Sequence, residues 1–99
     1  MPTYAVRYRY VDDSDALARH RPEHRAYLRS LAEAGHLLGS GPFTDSPGAL
    51  LVFTAERAEV VADWLAADPF ARAGLVADAE IRAWDIVLGP WSVQSASGS

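Results

Sequence analysis

The stretch Thr3-Tyr4-Ala5-Val6-Arg7-Tyr8-Arg9-Tyr10-Val11 decides how the rest of the chain is read. Tyr4, Val6, Tyr8 and Tyr10 alternate with Ala5, Arg7 and Arg9, the period-two pattern of a β-strand with one aromatic face. Asp12-Asp13-Ser14-Asp15 breaks the alternation, and Ser14 or Asp15 is placed to cap a short helical turn. A helix is expected from about Pro22 to Ala34. Proline suits a first helical position, Glu23 suits the positive end of the helix dipole, and Gly35 sits where a left-handed C-cap belongs. Leu28 and Leu31 mark its buried stripe, and His24 falls at the N-terminal end of that stripe.

Further along, residues 36–43 read as a strand weakened by Gly39 and Gly41 and closed by Pro42. Thr44-Asp45-Ser46-Pro47-Gly48 is turn chemistry, and Ala49 to Thr54 follows as a short apolar strand. Residues 56–67 form a second helix with Val60, Val61, Trp64 and Leu65 on its stripe. Asp68-Pro69 ends it, with one more turn expected over Pro69 to Gly74. Alternation returns over Ala79 to Leu88. The order β-α-β-β-α-β, with right-handed crossovers, predicts an α+β, ferredoxin-like sandwich: a four-stranded antiparallel sheet with two helices on one face. The other sheet face then needs water or a partner, and its aromatic content points to a second copy, giving a dimeric α+β barrel. Residues 1–91 are assigned to this domain and 92–99 to a polar C-terminal tail.

The chain has 99 residues, enough for one domain and one core. Its net charge of −4 and its cations, all arginine, give no basic footprint for nucleic acid. No apolar run reaches the ~20 residues of a membrane span, and the N-terminus does not read as a signal peptide, so a cytoplasmic location is expected. Cysteine is absent, which excludes disulfides, thiolate metal sites and thiol nucleophiles. There is no phosphate loop and no dinucleotide fingerprint, and no cofactor is expected.

Arg21-Pro22-Glu23-His24 opening the first helix, Gly35-His36-Leu37-Leu38 and Gly39-Ser40-Gly41-Pro42-Phe43 after it, and Asp68-Pro69-Phe70 after the second occur in an order that resembles the YciI-like, or YCII-related, family. The likeness runs from about Tyr4 to Val87. It implies a ferredoxin-like dimer whose active site pairs a histidine with an aspartate, matching His24 and Asp68. It also implies, for relatives in aromatic degradation, removal of a leaving group from a hydroxylated ring.

Each candidate also has a physical reading of its own. Histidine as a residue type can give or take a proton near neutral pH, so His24 suits a general base or acid, and a helix N-terminus would favour the neutral ring. Asp68 precedes a proline that starts a helical turn, as a helix N-cap does, and a carboxylate has spare lone pairs to hold an imidazole as well. Ser40, between two glycines, offers a hydroxyl to a substrate, and the same segment lacks the G-x-S-x-G spacing of a nucleophile elbow. Arg7 is read as a carboxylate-recognising residue and Phe70 as a substrate contact. His20 and His24 are four apart, but with Pro22 as the first helical residue His20 falls outside the helix, so no metal site is expected. The function expected is cofactor-free proton transfer, an elimination or isomerisation, on a small cyclic or aromatic metabolite. The alternatives are a non-catalytic ligand-binding module and a cofactor-independent monooxygenase on the same barrel.

Overall fold

A computed structural model describes residues 1–92. The elements run β1 (Thr3–Tyr10), α1 (Ser14–Glu33), β2 (Leu37–Pro42), β3 (Gly48–Thr54), α2 (Ala58–Ala66), α3 (Pro69–Arg72) and β4 (Val76–Ala83). The strands form one antiparallel sheet in the order β2-β3-β1-β4, the ferredoxin-like arrangement expected from the sequence. Of the expected polar tail at 92–99, Ser92 is described and buried, and residues 93–99 lie outside the described residues.

β1 is central and sorts the molecule into two sides. Val6 faces Leu51 on β3 and Ile81 on β4, and Val6, Tyr8, Leu51 and Phe53 are at most 1% exposed beneath the helices. Leu17, Leu28 and Leu31 of α1, with Val61 and Leu65 of α2, close the core from above. Arg7 and its cross-strand neighbours Leu50 and Glu80 point to the opposite side. That side is partly covered by the chain's own C-terminal segment: the ring of Trp91 lies against Gly39, the cross-strand partner of Val52. Val52 is accordingly buried although it faces away from the helices. Among the described residues, no helix is long and apolar enough to cross a membrane.

Two expectations need correction. α1 begins at Ser14 rather than Pro22, with Asp13 as its N-cap accepting from the Ala16 N–H at 3.1 Å. Pro22 sits inside the helix, where it removes one backbone donor, a loss that a helix of 20 residues packed on a sheet absorbs. The further turn expected over Pro69 to Gly74 is present as the one-turn helix α3. Finally, β4 ends at Ala83 rather than Leu88, because its ladder with β1 ends at Tyr4↔Ala83. Trp84, Ile86 and Leu88 therefore follow the strand instead of extending it. Gly35 does end the first helical segment with φ of 85°, as its C-terminal position suggested.

Candidate functional site

Asp68 is where the second half of the fold meets the first. Its extended backbone caps α3, and its Oδ1 accepts the Phe70 N–H at 3.0 Å. The same Oδ1 lies 2.8 Å from His24 Nδ1, and Oδ2 accepts the Tyr8 hydroxyl at 2.9 Å. The carboxylate is fully buried, His24 is 7% exposed and Tyr8 is 1% exposed. One buried carboxylate thus ties together α1, β1 and the start of α3. Such a group is tolerable in the interior only because every side of it meets a donor.

The hydrogen-bond network assigns the histidine tautomer. The Phe70 N–H can only donate, and an ionised carboxylate can only accept, so the contact with His24 is an Nδ1–H donating to Asp68. In the neutral ring, Nε2 is then the nitrogen with a free lone pair. Phe70 holds the ring in place by stacking on it, with centroids 3.9 Å apart and planes within 5°. Tyr10 in turn packs edge-on against Phe70 at 5.3 Å. The imidazole is fixed by a hydrogen bond in its plane and an aromatic ring on its face, which leaves little rotational freedom.

The field around Asp68 is visible in the tyrosines. Burial, then the charge of Asp68 and its hydrogen bond, push the Tyr8 phenol well above the usual tyrosine range, so Tyr8 stays a protonated donor. Burial and Asp68 push Tyr10 up to about 12 against the opposing pull of Arg21 and Arg25. Tyr27 is raised too, by burial first and then by Asp68, while its hydroxyl donates to the Trp64 carbonyl at 2.6 Å.

His24 and Phe70 line a cleft of about 430 Å³ between α1 and the β2 edge of the sheet. That volume is in the range of small-molecule sites. Ser40 lies across from Leu51 in the β2–β3 ladder, hence on the helix side, and lines the same cleft. The structure therefore brings His24, Asp68, Phe70 and Ser40 around one site. It does not bring Arg7 there: Arg7 lies on the far sheet face, its Nε 3.4 Å from Glu80. His24 is also not at a helix N-terminus, since α1 starts about three turns earlier, so the dipole gives no reason for a neutral ring. His20 shares α1 with His24, contrary to the expected helix start, yet no group of three metal-binding side chains occurs among the described residues.

Two kinds of site residue went unread in the sequence. Tyr8 looked like one more aromatic on the apolar face of β1, although a buried phenol needs a partner, and that need is the signal that points to Asp68. Arg21, Arg25 and Arg29 also line the cleft, at a spacing of four that becomes one helix face only when α1 starts before Pro22.

A model of the YCII-related domain matches residues 2–85, and the chain belongs to that family. No curated protein matches it. Among solved structures it is similar to 5-chloro-2-hydroxyhydroquinone dehydrochlorinase from Burkholderia phenoliruptrix AC1100, solved in complex with 2,5-dihydroxybenzoquinone. The two are 24% identical, with a TM-score of 0.73 over 83% of this chain and 92% of that one.

Proposed function

We propose that this YCII-related chain is a cofactor-free enzyme that moves a proton on a small hydroxylated ring, with elimination of a leaving group as the net reaction. The reading is carried by one observation: a histidine on the wall of a small-molecule cleft, its Nδ1 held 2.8 Å from a fully buried carboxylate. Nε2 takes a proton from the ring or its hydroxyl, the released electron pair forms a C=C or C=O bond, and the leaving group departs with its own pair. Asp68 holds the tautomer and stabilises the imidazolium that results, while the Tyr8 hydroxyl and the Phe70 N–H keep Asp68 in position. Phe70 and Ser40 provide an aromatic wall and a hydroxyl for the substrate. The dehydrochlorinase with the similar fold acts on a chlorinated hydroxyhydroquinone, which favours elimination over isomerisation as the reaction to test.

In the same reading the protein is a cytoplasmic homodimer. Leu50, Trp84 and Leu38, each 38–41% exposed, mark the surfaces outside the helix layer that a second copy would cover. An interface of at least about 1,200 Å² in total is expected, visible as a dimer in sedimentation at micromolar concentration.

The test of function follows chloride release from a chlorinated hydroxyhydroquinone and, for unhalogenated hydroxylated rings, exchange of ring protons with deuterated solvent. Both activities should vanish in His24→Gln with the melting temperature preserved. Activity that survives His24→Gln overturns the reading. Ring ligands that bind without release or exchange would make the protein a binding module instead.

A further inference from the structure

The chain carries a net charge of −4 with 13 carboxylates, yet its cleft is lined by three arginines and by none of those carboxylates. Arg21, Arg25 and Arg29 follow one another at intervals of four along α1, so their Cα atoms rise about 6 Å apart beside the cleft. His24, Leu28 and Ala32 line it with them, and together these residues span roughly 140° of the helix surface, with His24 at one edge and Arg29 at the other. Among the described residues the ion pairs are Arg7–Glu80, Arg82–Glu80 and His24–Asp68, and none of the three cleft arginines takes part in one. Asp68, the carboxylate that meets His24, is buried behind the imidazole and occupied by three donors. Arg21 and Arg25 stand close enough to the Tyr10 phenol to act on it, which places their charge at the Phe70 end of the cleft, near His24. A guanidinium with no carboxylate partner in a partly enclosed cleft is suited to an anionic oxygen, which it binds through paired N–H donors.

We propose that Arg21, Arg25 and Arg29 form an anion-docking rail, and that the substrate is a small ring bearing a carboxylate or an ionised hydroxyl. The rail holds that charged oxygen while the reacting carbon lies beside His24. The inference deepens the proton-transfer reading and rests on it for the word substrate. The anion preference itself is a binding property and is testable without turnover. It also gives the arginines a catalytic consequence: an electron pair pushed into a ring oxygen during elimination would develop negative charge next to them.

The experiment titrates the purified protein with benzoate, its neutral isostere benzamide, and pentafluorophenol, which is ionised at neutral pH. Binding is followed by calorimetry and by His24 and Phe70 resonances. At least one of the two anions should bind about tenfold or more tighter than benzamide, and added salt should weaken it. Preference for benzoate identifies a carboxylate as the docking group, and preference for the phenolate identifies an ionised ring oxygen. The double variant Arg21→Gln/Arg25→Gln should lose that preference while its melting temperature and benzamide affinity stay put. Equal affinity for benzamide and both anions, no binding by any of the three, or an anion preference that survives the double variant each overturns the rail. None of those results bears on whether His24 moves a proton, which is read separately by the loss of chloride release in His24→Gln.

Discussion

Tyr8 and Arg7 are adjacent in β1 and face opposite sides of one sheet, and each reaches a carboxylate. Tyr8 meets Asp68 at 2.9 Å under the helices, where both side chains are buried. Arg7 meets Glu80 at 3.4 Å on the outer face, where the glutamate side chain is 42% exposed and shared with Arg82 at 3.6 Å. The outer cluster is three long side chains in water, screened by salt and free to rearrange. The inner one has a single geometry, because each donor comes from a different element and none can leave without stranding a buried group. Ion pairs are common to both faces of the sheet. Chemistry is concentrated on the face where water has been excluded and the partners cannot exchange.

The sharpest break of that contrast is to remove each carboxylate in turn. Asp68→Ala strands the Tyr8 hydroxyl, the Phe70 N–H and the His24 Nδ1–H at once, and should cost about 3–5 kcal/mol in denaturant unfolding. Glu80→Ala should stay within about 0.5 kcal/mol. Asp68→Asn keeps the cap and the shape, so it should recover much of the stability. It should still lower any proton-transfer rate by roughly 10²–10⁴, since a neutral amide does not stabilise the imidazolium. Equal costs for Asp68→Ala and Glu80→Ala would erase the distinction between the two faces.

Hydrophobic residues offer the same contrast without charge. Phe53→Ala on the helix side, fully buried, should cost about 3–5 kcal/mol. Leu50→Ala, three residues earlier in β3 and 41% exposed, should cost under about 1 kcal/mol in a dilute, monomeric sample. If a second copy covers the outer face, Leu50→Arg should shift the sedimentation equilibrium toward monomer while leaving the monomer's melting unchanged. A dimer indifferent to Leu50→Arg would mean that the copies meet elsewhere.

The alternation of β1, the turn at 44–48 and the proline after Asp68 are local signals that made the sheet and its topology legible in the sequence, whereas the His24–Asp68 pairing was implied by the resemblance to the YCII-related family. The start of α1 was not legible, because Pro22 looks like a first helical residue. Asp13 and a buried Ala16–Leu17 pair outweigh the one backbone donor that proline removes. That single error also hid the arginine stripe and misplaced His24 at a helix terminus. The end of β4 depends on where β1 stops offering a ladder, which is a tertiary fact absent from the alternation of residues 82–88. Arg7 drew notice as a cation on a strand, yet the sheet face it occupies follows directly from the parity that buries Tyr8.

Tyr8 is the least obvious member of the buried network. Tyr8→Phe removes one of three donors to Asp68 and should cost about 1.5–3 kcal/mol at neutral pH, as hydrogen bonds to charged groups do. It should also reshape the alkaline limb of stability. The folded state raises the Tyr8 pKa above its unfolded value of 10.0, because burial and Asp68 both disfavour the phenolate. Above about pH 10 the unfolded chain releases a proton that the folded chain keeps, so this group's contribution is complete below that pH and shrinks by about 1.4 kcal/mol per unit above it. Tyr10, pushed up to about 12, adds a second such loss between the two values. Wild-type stability should therefore fall more steeply above pH 10 than that of Tyr8→Phe, and the gap between them should narrow as pH rises. In an Asp68→Asn background the same substitution should cost less at neutral pH, because the charge that strengthened the bond is gone. Parallel alkaline limbs in wild type and Tyr8→Phe would show that the phenol does not feel Asp68, and would reduce the network to the histidine and the helix cap.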